Sequence, residues 1–195
     1  DPTWRKAWDW GLFAGSAVPA LVFGVAFGNL FLGVPFRLDD TMRSFYSGSF
    51  WALLNPFALL FGVVSLSLLT LQGATFLSHR TEGDLQARAI KAAQVLVIVL
   101  LVAFSLGGLW VSRIDGYVIE SIGDIGASIN PLMKEVGRAP GAWFANYSKT
   151  PILWLIPALA YVGGLAVLLA LRYGKTLFAF VGSSLACVSV ILTAG

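Results

Sequence analysis

Five long stretches of this sequence carry no Asp, Glu, Lys, Arg or His: about 10–32, 50–77, 92–112, 150–171 and 176–195. A helix needs about 20 mostly apolar residues to cross the hydrocarbon core of a bilayer. Each stretch is long enough, so the chain reads as all-α: a polytopic bundle of about five membrane-spanning helices forming one transmembrane unit over residues 1–195. Composition agrees where it bears on this point. Charged residues make up 12% of the chain, against about 25% in soluble domains. Too little charge remains to keep such a surface in water, which excludes a self-sufficient soluble enzyme.

The ends read as cuts in a longer chain. The sequence opens at Asp1 without a signal-peptide pattern and closes on apolar Val190-Ile191-Leu192-Thr193-Ala194-Gly195. Orientation follows from Lys and Arg, which favour the cytoplasmic side. With the amino end inside, the inner segments carry Arg5, Lys6, Arg80, Arg88, Lys91, Arg172 and Lys175 against Asp1, Asp9, Glu82 and Asp84. The outer loops hold Arg37, Arg43, Arg113, Lys134, Arg138 and Lys149, balanced by Asp39, Asp40, Asp115, Glu120, Asp124 and Glu135. A cytoplasmic amino end is therefore expected. Trp4, Trp8, Trp10, Trp51 and Trp110 stand at the ends of the stretches, where the amphipathic indole prefers the headgroup level.

Small residues four apart, Gly11/Gly15, Gly24/Gly28 and Ala103/Gly107, predict close helix contacts, which in lipid depend on backbone approach. Pro19, Pro56 and Pro157 should kink or cap helices. The longest extramembrane loop, 113–149, contains Asn130-Pro131, then Leu132, Val136, Trp143 and Phe144 among Lys134, Glu135 and Arg138. Part of it is expected to form a short amphipathic helix on the membrane surface.

Chemistry-bearing residues are scarce. His79 is the single histidine, and Cys187 the single cysteine, lies in an apolar run, so an internal disulfide is excluded. Met42 and Met133 fall in loops on the side opposite His79. A haem needs axial ligands converging on its iron, and no two strong ligands are expected to meet. Asn29, Asn55, Gln72 and Gln94 are the strongest polar groups within the stretches; each is expected to bond a neighbouring helix. There is no phosphate-binding G-x-x-x-x-G-K-[ST] loop, no G-x-S-x-G elbow and no basic tract for nucleic acid. The residues name no catalytic side chain and no metal ligand, and they assign no cofactor position.

A resemblance extends this reading. Gly24-Val25-Ala26-Phe27-Gly28-Asn29-Leu30 with Gly33-Val34-Pro35-Phe36, Leu54-Asn55-Pro56-Phe57, Gln72-Gly73-Ala74-Thr75 and Ile114-Asp115-Gly116-Tyr117-Val118 resemble subunit II of cytochrome bd ubiquinol oxidases. So do Asn130-Pro131-Leu132, Lys134-Glu135-Val136, Gly141-Ala142-Trp143, Thr150-Pro151-Ile152-Leu153-Trp154, Ile156-Pro157-Ala158-Leu159 and Ile191-Leu192-Thr193-Ala194-Gly195. The resemblance implies a bacterial inner-membrane respiratory oxidase that oxidises quinol, reduces oxygen to water and contributes to proton-motive force without pumping. It implies a heterodimeric partner, subunit I, holding haem b and haem d, with a small accessory subunit in some assemblies. In some members subunit II also holds a structural quinone. The family's chain begins with further helices, where its proton-access acids lie, and ends with another, so no proton-relay residue is carried over. The alternatives are a piece of a secondary transporter, suggested by prolines and glycines within helices, and a purely structural anchor.

Overall fold

The computed structural model describes residues 2–121 and 135–193. Its five long helices are α1 (Pro2–Leu32), α2 (Pro56–Arg80), α3 (Gly83–Val111), α5 (Leu155–Arg172) and α6 (Thr176–Thr193), with a short α4 (Ala145–Lys149) between α3 and α5. All five long segments have the length and hydropathy to cross a membrane. Two of them begin earlier than hydropathy alone suggests. Hydropathy finds only the part in hydrocarbon, whereas Arg5, Lys6 and Ala7, or Leu85, Gln86, Ala87 and Arg88, are good helix formers that carry the backbone on into polar surroundings.

Local chemistry sets the boundaries. The Asn55 side chain accepts from the Ala58 amide at 2.8 Å, and Pro56 follows at the first helical position, where a missing N–H costs nothing. Residues Phe50–Leu54, expected as the start of the second helix, instead form a 3₁₀ turn ended by extended Asn55, because a residue before proline is pushed out of the helical region. At the end of α5, the Lys175 amide donates to the Ala170 carbonyl at 2.8 Å and Gly174 to that of Leu171 at 3.3 Å. Gly174 has φ +69, so this is a Schellman stop that turns the chain straight into α6.

Helix α2 is central. Val64, Leu68, Leu71 and Ala74 repeat at three- and four-residue intervals and pack with Ala93, Val97, Leu100 and Ala103 of α3, Val167, Ala170 and Leu171 of α5, and Ala179 of α6. Helix α1 crosses the far side of α2. At the crossing, a Cβ built on Gly28 would lie 2.7 Å from the Ala58 Cα, and one on Gly24 2.7 Å from the Gly62 Cα. The expected Gly24/Gly28 contact thus exists, with Ala58 and Gly62 as its counterpart. Among the described residues, a Cβ on Gly11 or Gly15 would have nothing within 4 Å, and one on Gly107 would meet only the Phe61 ring at 3.7 Å. A second crossing, α5 on α6, went unsuspected: a Cβ on Gly163 would stand 2.7 Å from the Gly182 carbonyl oxygen. Apolar side chains cover the outside of every long helix, Phe23, Val95, Leu165 and Phe178 among them, as lipid-facing helices require.

Two antiparallel ribbons cap the end of the bundle where α1 finishes: β1 (Phe36–Leu38) with β2 (Ser44–Tyr46), and β3 (Asp115–Ser121) with β4 (Glu135–Pro140). In the first, the Asp39 carboxylate accepts from the Thr41 and Arg43 amides at 2.9 and 2.8 Å, and these bonds with the Thr41 hydroxyl hold its pKa below the usual 3.8. The second ribbon corrects the expectation of a surface helix. Val136 and Arg138 lie in a strand, with Arg138 opposite Tyr117. A β-partner distant in sequence outcompeted a local amphipathic pattern already interrupted by Gly137 and Pro140. Leu132, Met133 and Lys134 lie outside the described residues. Trp143 and Phe144 follow in a 3₁₀ turn, Ala142–Phe144.

Candidate functional site

Two clusters of polar side chains stand out in the helical body, apart from the Ser105–Tyr161 hydroxyl pair that joins α3 and α5 at 2.7 Å. The first is a seam between α2 and α6. Each hydroxyl there has one proton, and a single consistent chain uses them all. Thr75 and Ser183 share a bond of 2.8 Å, the Ser183 hydroxyl donates to Gln72 Oε1 at 2.7 Å, and Gln72 Nε2 donates to Ser184 Oγ at 2.8 Å. Ser184 closes the chain on the Phe180 carbonyl at 3.0 Å. Thr75 and Ser183 are buried. Nearer the α2–α3 turn, Gln86 Nε2 reaches the Ser78 carbonyl at 3.0 Å, and His79 Nδ1 pairs with Thr176 Oγ1 at 3.2 Å. Gln72, Thr75 and His79 share one face of α2 by helical spacing. Gln94 sits half-buried on α3.

Interhelical hydrogen bonds in membranes contribute about 0.6 kcal/mol on average and about 1.7 at most. The seam is neutral and internally satisfied, which suits joining helices. Gln72→Ala in the full-length protein is expected to lower its thermal stability by about 1 kcal/mol, as read by thermal unfolding in detergent. An unchanged unfolding temperature would reverse that assignment.

The second place is the ribbon-capped end. Asn29, only 8% exposed, donates through Nδ2 to the Leu53 carbonyl and to its own helix at Val25, both at 2.8 Å. Its Oδ1 accepts from Asn55 Nδ2 at 3.0 Å, which turns the Asn55 oxygen onto the Ala58 amide. So α1 clasps the 3₁₀ turn and orients the cap of α2. Next to it, Arg138 Nη2 donates to the Leu32 carbonyl at 3.2 Å and to the Tyr117 hydroxyl at 2.8 Å. The guanidinium lies over the Tyr117 ring, 4.9 Å from its centre. A cation on terminal helix carbonyls is favourable, and nothing in the local sequence linked residue 138 to residue 32.

Further aromatic contacts fill this end. Phe31, Phe57, Phe61, Trp110 and Trp143 join through ring-centre separations of 4.8–5.7 Å. The Tyr147 hydroxyl of α4 donates to the Thr193 carbonyl at 2.9 Å, and partial burial pushes its pKa up.

Iron ligation is a different matter. Met42 lies in the β1–β2 turn at φ +62, His79 at the far end of α2, and Cys187 within α6. These side chains do not converge. Among the described residues, no group of three or more His, Cys, Asp or Glu could hold a metal ion.

The comparisons with known proteins agree with one another. The family model for cytochrome bd terminal oxidase subunit II matches residues 1–195. The chain is 54% identical over 196 aligned positions to cytochrome bd-I ubiquinol oxidase subunit 2 of Escherichia coli K12, covering all of this chain and 52% of that protein. It is 50% identical over 194 positions to a probable cytochrome oxidase subunit 2 of Haemophilus influenzae, covering all of this chain and 51% of the relative. With cytochrome bd ubiquinol oxidase subunit 2 of Bacillus subtilis, identity is 40% over 100 positions, 51% of this chain and 28% of the relative. The chain thus spans about half the length of the first two relatives. The transporter alternative finds no support among these matches. A match over the full sequence, on a bundle that spends its polar groups on joining helices, places this chain in the cytochrome bd terminal oxidase subunit II family.

Proposed function

We propose that this chain is part of the second subunit of a bd-type terminal oxidase in a bacterial inner membrane. In that complex quinol gives up electrons and protons, and oxygen takes them to form water. The observation that carries the reading is the family match across the whole sequence, with relatives named as ubiquinol oxidase subunits. The role within the complex is carried over from the family resemblance. That resemblance implies that the haems are held mainly by subunit I, and the separate positions of His79, Met42 and Cys187 fit a chain that shapes and braces the membrane body against which that subunit sits. No catalytic step is assigned to its own side chains. A quinone with a structural role and a small accessory subunit remain part of this reading as further partners.

Orientation belongs to the same proposal. The amino end of α1, the α2–α3 turn and the α5–α6 turn share one end of the bundle, which gathers Arg5, Lys6, Arg80, Arg88, Lys91, Arg172 and Lys175. By the positive-inside rule that end faces the cytoplasm, and the ribbons face outward.

Deleting the full-length protein is expected to abolish d-type haem absorption in membranes, and the purified protein should carry a haem-bearing companion. A stable partner-free preparation, together with oxidase activity untouched by the deletion, would overturn the reading.

A further inference from the structure

We infer that the end of the bundle carrying the α2–α3 and α5–α6 turns seats the phosphate of an anionic phospholipid on Arg80, with an acyl chain lying along α2. Gly73, Phe76, Leu77 and Arg80 follow one another at three- and four-residue spacing, so they share one face of α2. All four are exposed, Phe76 by 46% and Leu77 by 42%. Arg80 is the last residue of the helix, at the border of its apolar span. A long cationic side chain in that position ordinarily stretches away from the hydrocarbon to reach water. This one folds back, its Cζ 6.0 Å from the centre of the Phe76 ring, one helical turn toward the membrane interior.

The surroundings of that guanidinium call for an anion. Phe76 meets Phe180 of α6 at 5.9 Å between ring centres, so the aromatic shelf beneath the cation spans two helices. Beside it, the His79–Thr176 contact of 3.2 Å brings the start of α6 against the end of α2, and exposed Lys175 directly precedes Thr176. The acids nearest in sequence are Glu82 and Asp84, both exposed on the α2–α3 turn. No Asp or Glu follows Glu135, so the α5–α6 side adds only Arg172 and Lys175. Positive charge is therefore in excess where the two helices meet, and basic sites between helices at the headgroup level take anionic lipid headgroups.

Below the cation the same face is apolar and has a gap. A Cβ on Gly73 would meet nothing within 4 Å among the described residues, so the missing side chain leaves room for an acyl chain to run past Leu77 and Phe76. A planar guanidinium suits phosphate oxygens. Free phosphate would satisfy the charge and leave the track bare, whereas a diacyl phospholipid with a net negative headgroup fills both. The inference requires only that the chain lies in a bilayer, whatever reaction its complex performs.

The test uses the full-length protein in the complex in which it is purified, stripped of lipid in mild detergent and titrated with dioleoylphosphatidylglycerol under native mass spectrometry. Arg80→Gln should weaken binding about fivefold, the effect of one cation near a membrane surface. Lys175→Gln should act in the same direction, and Arg37→Gln in the β1–β2 ribbon should change nothing. Zwitterionic dioleoylphosphatidylcholine should bind wild type more weakly than the anionic lipid, and inorganic phosphate should fail to displace either. Gly73→Leu obstructs the track while keeping every charge, so it should weaken binding too, and it decides the matter if Arg80→Gln does not assemble. Equal binding by wild type, Arg80→Gln and Gly73→Leu would overturn the inference. So would displacement by inorganic phosphate, which would mark a free-anion site, or an equal loss in Arg37→Gln, which would mark general charge attraction.

Discussion

Gly28→Val is expected to drive α1 off α2 and to leave little properly assembled full-length protein. A Cβ there would lie 2.7 Å from the Ala58 Cα, and Gly24 faces the Gly62 backbone just as closely. Both obstacles are main chain, so no side chain can rotate aside. Restoring an ordinary contact of 3.4–4 Å requires the helices to part by about an ångström, which empties the whole crossing of dispersion contacts. Overpacking in a close-packed interior costs about 1–3 kcal/mol per site, and Gly24→Val with Gly28→Val should exceed the single effects because both wedge the same contact. Gly163→Val makes the same test at the α5–α6 crossing. Gly73, in α2, where an added Cβ would meet nothing within 4 Å among the described residues, is the control: Gly73→Ala should be neutral or raise stability slightly through helix propensity. Thermal unfolding in detergent and the yield of monodisperse protein are the measurements. Equal behaviour of Gly28→Val and Gly73→Ala would show that the crossing is not closely packed.

Breaking the asparagine clasp is expected to have the next largest effect. In Asn29→Leu the Leu53 carbonyl loses its donor and Asn55 Nδ2 loses its acceptor. A buried polar group deprived of its partner costs about 1–3 kcal/mol. Asn55→Ala should cost a similar amount, since it removes a helix cap worth about 0.5–2 kcal/mol. The arrangement makes a sharper claim, because Asn29 acts partly by aiming Asn55. The double variant should therefore be less destabilised than the sum of the two, and hydrogen exchange at Ala58 should rise in both single variants. Strict additivity would mean that the two asparagines act independently.

These expectations divide along what was readable beforehand. Asn29 and Asn55 stand out as polar residues in apolar stretches, and a hydrogen-bonded role follows from the energetics of amides in hydrocarbon. That they bond each other does not follow, because 26 positions separate them and only the α1–α2 crossing brings them together. Gly24/Gly28 announces a close contact but leaves its counterpart open. The same spacing at Gly11/Gly15 led to no contact among the described residues. Small residues permit approach; the path of the neighbouring helix decides whether approach occurs.

The membrane-spanning segments and the nature of the bundle were determined by the sequence alone. Removing charge from some twenty successive residues leaves lipid as the one tolerable surrounding, and the backbone must then bond within its own segment. The paucity of ligating side chains was equally plain. Tertiary structure alone decided the ribbon that replaced the expected surface helix, the clamp of Arg138 on Leu32 and the hydroxyl–amide seam from Thr75 to Ser184. The physical reason is range. Hydropathy and helix propensity act over a few turns of chain, whereas hydrogen-bond partners and close packing depend on which distant segments the fold sets side by side.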